Sequence, residues 1–173
     1  DVPMKSDETA LRHYVRQMRQ YVLDPLEKRF GIATSDEALL KAVELHNHVC
    51  LLINSIGDFR MEENPRITGY EFAVLCLATY CCPKTPLIPI LEKTLAELQN
   101  RQPDQRSKYR ARVVLAGSEI DDPELIRMIE EAGALVVADR FCLGSLPGRE
   151  EIRLREGEDV LTGICRHYME GGQ

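Results

Sequence analysis

Residues 112–145 constrain this chain more than any other stretch. Two short apolar runs, Val113 to Ala116 and Leu135 to Ala138, each end in a polar loop containing glycine, and a helical segment joins them. Asp122 caps that segment and Gly133 ends it. Pro123 fills its first position, where a missing N–H leaves nothing unsatisfied. Strand, capped helix and strand in that order predict a β-α-β unit of two short buried strands. Such crossovers are right-handed in nearly all folds, which makes the strands parallel. Both loops then lie at one edge of the sheet, where ligands of open α/β sheets bind.

The first hundred residues read as helices. Ser6 caps the first, with Asp7 and Glu8 in its opening turn, and Leu11, Tyr14, Val15, Met18, Val22 and Leu26 recur along one face. Pro25 is expected to bend or break it and Gly31 to end it. Ser35 caps a second helix, whose buried face carries Leu39, Val43, His46, Val49, Cys50, Ile53 and Ile56. Thr68 opens a third that Pro83 stops, and Pro86 to Leu98 reads as a fourth. The polar, basic stretch 100–110 is the natural boundary. It separates a helical segment, 1–105, from a partial Rossmann-like α/β domain, 106–173, in which Pro147-Gly148 marks a turn and Glu158 to Glu170 a last helix. The fold class is therefore α/β and helix-rich: a helical N-terminal segment, then the opening of a Rossmann-like parallel β-α-β unit. Two strands are too few for a stable parallel sheet, so the unit reads as truncated.

Composition narrows the function. With 173 residues, 44% of them hydrophobic and 29% charged, the chain is long enough for one real core. A net charge of -6 argues against nonspecific nucleic-acid or anionic-membrane binding, yet permits a local basic pocket. No apolar run reaches the roughly 18 residues a membrane span needs. The start at Asp1-Val2-Pro3, without an initiator Met, is that of a fragment. Six cysteines, none in a CxxC, read as reduced thiols of a cytoplasmic protein.

The two loops hold the candidate site. Gly117-Ser118-Glu119 runs toward a helix start whose backbone N–H groups can hold a phosphate or carboxylate. Asp121 and Asp122 oppose an anion there, and GxGxxG is absent, so the loop also reads as a plain β-α turn. Asp139-Arg140-Phe141-Cys142-Leu143-Gly144-Ser145 is more unusual, because a charged pair directly after a buried strand is not what core packing requires. Arg140 can fork onto a thioester carbonyl or a phosphate, and can activate Cys142. Alternatively, Asp139 and Arg140 tie neighbouring loops together while Cys142 fills a gap. His46 and Cys50 share a helix face at metal-ligand spacing, but both sit on the apolar stripe and read as core. Cys76, Cys81 and Cys82 have the wrong spacing for a zinc motif. There is no GxSxG, P-loop or HExxH.

The order of motifs adds what periodicity cannot. A Val2-Pro3 opening is followed by a helix with Asn47 and Arg60, then by Asn-Pro-Arg-Ile-Thr-Gly at 64–69 and Arg-Val-Val-Leu-Ala-Gly-Ser-Glu at 112–119. Next come the run from Ile129 to Ser145 and the close Asp-Val-Leu-Thr-Gly-Ile-Cys-Arg-His-Tyr at 159–168. The whole resembles the 2-hydroxyacyl-CoA dehydratase and benzoyl-CoA reductase family, most strongly over 110–168. Asp139-Arg140, where the dehydratases usually have two aspartates, favours the reductase branch.

The resemblance implies a subunit about twice this length, made of two Rossmann-like halves around a [4Fe-4S] cluster. It also implies a heterooligomer: a sister subunit and an ATP-hydrolysing iron–sulfur activator that sends a low-potential electron to an acyl-CoA thioester, ending in dehydration or ring reduction. The cluster ligands are expected outside this fragment, so none of its six cysteines is assigned to metal. Gly117, Ser118, Glu119, Asp139, Arg140, Cys142, Gly144 and Ser145 are expected to face the cluster or acyl-CoA cleft. The fragment alone should be inactive. Two rival readings stand beside this one: a noncatalytic partner-binding or assembly subunit of the same fold, and a small nucleotide-binding regulatory module.

Overall fold

Asp7 caps the first helix, α1 (Glu8–Met18), accepting the Ala10 N–H at 2.8 Å. The expected cap, Ser6, lies outside the residues that the computed structural model describes, which are 3, 7–103, 109–145 and 150–171. Pro25 neither stops nor breaks the helix. The chain widens instead into a π turn over Arg19–Leu23 and continues as α2 (Asp24–Phe30), with Pro25 in its first turn. A proline has no N–H to give and crowds the carbonyl four residues back, and an expanded turn just before it relieves that conflict. Gly31 ends α2 with φ of 65°, a left-handed conformation that a side chain would disfavour.

Backbone packing divides the chain into Asp1–Leu45 with Glu151–Gln173, and His46–Glu150. The polar stretch 100–110 falls inside the second unit. In the first unit, α1 packs on α7 (Val160–Gly171) through Tyr14, Leu161, Cys165 and Met169. The Pro147-Gly148 turn expected from sequence lies outside the described residues. Burial pushes the Cys165 thiol up to about 11, with Asp159 adding to the effect, so it is a neutral packing group at physiological pH.

Just before α7, Glu158 receives the fork of Arg166, whose Nε and Nη2 each donate at 2.8 Å, and the Arg155 N–H at 3.0 Å. Both side chains are only 11% exposed. The Arg166 fork, with the Arg155 amide, outweighs burial and holds the Glu158 carboxyl down at about 2. A carboxyl lowered on folding stabilises the native state above its ordinary value of 4.5, and that contribution disappears as the pH falls toward 2. At 1.36 kcal/mol per unit, it is worth on the order of 3 kcal/mol near neutrality. Urea unfolding at a series of pH values should therefore show wild type losing its advantage over Glu158→Gln between pH 4.5 and 2. A constant difference across that window would refute the assignment.

In the second unit, the later half of α3 (Asp36–Asp58) meets α4 (Gly69–Cys81) and α5 (Lys84–Asn100) around Ile53, Ile56, Cys76, Leu91 and Leu98. Ser35 caps α3 as expected, accepting the Ala38 N–H. α4 is apolar on all sides because it serves two cores: Phe72 and Cys76 face this one, and Ala73 joins Ile126, Val136 and Phe141 in another. Ile126 comes from α6 (Pro123–Glu131) and Val136 from β2 (Ala134–Arg140), and Phe141 directly follows that strand. β2 pairs in parallel with β1 (Ala111–Ala116), with an irregularity between Val113 and Val114. The helix between the strands and their parallel direction agree with the sequence reading.

The expected burial of both strands is corrected at β1. Val113 and Leu115 pack inward, but Val114 is 63% exposed. β2 is more fully covered, with Leu135 and Val136 buried. The core of this unit lies against one face of β1, and that strand alternates instead of being apolar throughout.

The Asn-Pro-Arg-Ile-Thr-Gly stretch has a packing explanation. Thr68 and Glu71 form a capping box at the start of α4. Gly69 then lies so close to β2 that an added Cβ would stand 2.6 Å from the Val136 Cβ. Beneath this approach, the buried Glu130 carboxylate accepts three backbone N–H groups: Gly69 at 2.8 Å, Tyr70 at 3.1 Å and Val136 at 3.2 Å.

Candidate functional site

The strand ends do not stop at the last ladder pair. Gly117 N–H donates to the Arg140 carbonyl at 3.2 Å, and Cys142 N–H donates to the Ser118 carbonyl at 2.9 Å. Two further parallel-type bonds thus join the loops after β1 and β2 into one surface at the carboxyl edge of the sheet. Gly117, Ser118, Glu119, Arg140, Cys142 and Ser145 are exposed there. Tyr80, near the end of α4, donates its hydroxyl to the Cys142 carbonyl at 3.5 Å. Asp122 caps α6 by accepting the Glu124 N–H, so a carboxylate already occupies that helix start.

Asp139 and Gly144 differ from their neighbours because both are turned inward. The Asp139 side chain is 3% exposed and takes Arg60 Nη1 at 2.8 Å. Its carboxylate also accepts the Ser145 hydroxyl at 2.8 Å and the Ser145 N–H at 2.5 Å. Gly144 is buried against this group, and a Cβ there would overlap the Asp139 carboxylate and the Phe141 ring. The partner of Asp139 is therefore Arg60, from the turn after α3, while the adjacent Arg140 points its side chain to the surface. The Asp139 side chain thus ties its loop to Arg60, and the Arg140 residue is exposed.

Arg60 was legible only as part of a motif. Its Nη2 donates to the Ser145 hydroxyl at 3.3 Å, and its guanidinium carbon lies 3.6 Å from the centre of the Phe72 ring. The ring itself sits where a Cβ on Gly57 would need to be, at 2.9 Å. Flanked by Asp58, Glu62 and Glu63, Arg60 carries no local signal that its partner is a buried carboxylate 79 residues away.

Two cavities of this unit lie at the other end of the sheet. One of ≈ 560 Å³ is lined by Thr68, Tyr70, Arg127 and Gly133, and one of ≈ 240 Å³ by Asn64, Ile67, Arg112 and Leu135.

The donor set can also be tested against a metal cluster. Cys50, Cys76 and Cys165 are buried, while Cys81, Cys82 and Cys142 are exposed. Cys50 contacts His46 at 3.4 Å within the α3 face, as its core reading implied. No group of three or more His, Cys, Asp or Glu side chains among the described residues converges to hold a metal ion. By themselves the described residues do not fit a cluster site. No helix among the described residues is long and apolar enough to cross a membrane.

A parallel strand pair backed by helices, with joined polar loops at its carboxyl edge, is an α/β arrangement. The chain belongs to the family described as 2-hydroxyglutaryl-CoA dehydratase, D-component, whose model matches residues 1–172. It is a 2-hydroxyacyl-CoA dehydratase-like subunit, of a family that works as heteromeric dehydratases with a partner subunit and an activator. No curated protein matches it.

Proposed function

We propose that the joined tips form one wall of an acyl-CoA crevice in an iron–sulfur dehydratase, with the second wall supplied by another part of the assembly. The observation that carries this reading is the continuation of the β1–β2 ladder through Gly117 and Cys142, which brings Ser118, Glu119, Arg140 and Cys142 to one exposed edge. Arg140 is the residue suited to the ligand, because its fork matches a thioester carbonyl or a phosphate of coenzyme A. The family's chemistry makes dehydration of a 2-hydroxyacyl-CoA the first reading. Ring reduction of an aromatic acyl-CoA is the second, favoured by Asp139-Arg140 in place of two aspartates. In either case the [4Fe-4S] cluster would supply the electron, while this chain binds and orients the thioester.

The test uses the complete complex with its activator, purified without oxygen and assayed with 2-hydroxyglutaryl-CoA and benzoyl-CoA in parallel. Iron content with absorbance near ~400 nm is expected in the complex. Arg140→Ala should lower kcat/KM by roughly tenfold to a hundredfold, as loss of one aimed cation does. Its unfolding midpoint should match wild type, since the side chain is exposed. Unchanged kinetics would remove Arg140 from the crevice, and absence of iron would remove the cluster chemistry.

A further inference from the structure

We infer that Arg60 is a positioning residue of the crevice wall: it acts through Asp139 and Ser145 to set the loop 141–145 that carries Cys142 beside Arg140. This deepens the crevice reading and rests on it for what the loop is positioned to do. The geometry of the anchor is independent of that reading.

The argument starts from what is fixed. Phe72 belongs to the main core of its unit at 2% exposure, and its ring fits because residue 57 has no side chain. Arg60 lies over that ring, so the guanidinium plane is defined by the core. Its two terminal nitrogens then reach two different atoms of the tip, the Asp139 carboxylate and the Ser145 hydroxyl. Asp139 closes the loop by accepting both the amide and the hydroxyl of Ser145. Five residues, 141–145, are thus spanned by one carboxylate whose orientation is set from outside the loop.

An arginine is required for this. A lysine keeps the charge but has no fork, and it reaches one partner where arginine reaches two. The Arg60 Nε is buried and makes no hydrogen bond among the described residues, which is a cost that packing alone does not demand. A residue kept for core stability would be apolar. An aromatic-stacked fork aimed at a loop is suited to holding that loop in one conformation.

The experiment is hydrogen exchange followed by mass spectrometry on the full chain, comparing wild type, Arg60→Lys and Ser145→Ala. Amides of the 141–145 segment should exchange about tenfold faster in both variants, the scale set by one lost bond to a charged group. The strand segment 135–138 should keep its wild-type rate. Ser145→Ala removes only one hydroxyl, so it remains informative if Arg60→Lys folds poorly. Unchanged exchange at 141–145 in a folded variant would overturn the inference. In the complete complex, Arg60→Lys should lower kcat by a similar factor with KM for the acyl-CoA little changed. Faster exchange with wild-type turnover would leave the anchor standing and remove the crevice reading instead.

Discussion

Replacing Glu130 by alanine is expected to destabilise the His46–Glu150 unit by roughly 4 kcal/mol or more. The carboxylate serves three backbone donors: Gly69 and Tyr70 at the start of α4, and Val136 within β2. Each buried N–H left unpaired costs about 1–3 kcal/mol, and the capping of α4 weakens at the same time. Gly69 packs directly onto Val136, so a replacement water has to enter from the ≈ 560 Å³ cavity that Glu130, Thr68 and Tyr70 line. Glu130→Gln keeps one acceptor oxygen but turns an amide group toward donors, so an intermediate loss of about 2 kcal/mol is expected. Urea unfolding of the three proteins should rank them wild type, Gln, Ala. A loss below about 1 kcal/mol for alanine would show that the three bonds are not what joins α4 to the sheet.

That carboxylate illustrates where sequence reading stopped. Local signals carried far: Ser35, Thr68, Asp122 and Gly31 each cap or end the helix their residue type implied. The parallel direction of β1 and β2 followed from the helix between them. Glu130, however, sits beside Glu131 in what reads as the solvated end of α6, and only tertiary packing turns one inward and leaves the other at the surface. Arg60 and Asp139 are 79 residues apart, so no window of periodicity could pair them. The neighbourhood of the two candidate loops was legible in sequence, and the ladder bonds through Gly117 and Cys142 join them. The division of labour within it was not. Asp139 and Arg140 are neighbours in the chain, yet one side chain is a buried anchor and the other faces outward, a distinction that depends on which side of the strand end meets Arg60 in the turn after α3. The exposure of Val114 was missed for a related reason, since an apolar run does not say whether both faces of a sheet are covered.

Breaking the Arg60–Asp139 pair from one side is expected to cost about 3–5 kcal/mol, because the surviving charge stays buried without a partner. Asp139→Ala leaves the Arg60 fork facing a 3%-exposed site with only the Ser145 hydroxyl to receive it, and it frees the Ser145 amide as well. Arg60→Met leaves a buried carboxylate held by Ser145 alone. The double variant Arg60→Met with Asp139→Leu should recover most of the lost stability, since a buried ion pair exchanged for apolar groups of similar size is often close to neutral. A double-mutant cycle in urea therefore expects a coupling of several kcal/mol, and additive losses would show that the two groups do not depend on each other. The recovered protein separates two roles that the single variants confound. Its core is intact and carries no stranded charge, but nothing in it reaches from the Phe72 platform to the 141–145 loop. If the Arg60–Asp139 pair is present for the fold alone, exchange of that loop returns to the wild-type rate along with stability. If it is present to place the loop, the double variant is stable and the loop still exchanges fast.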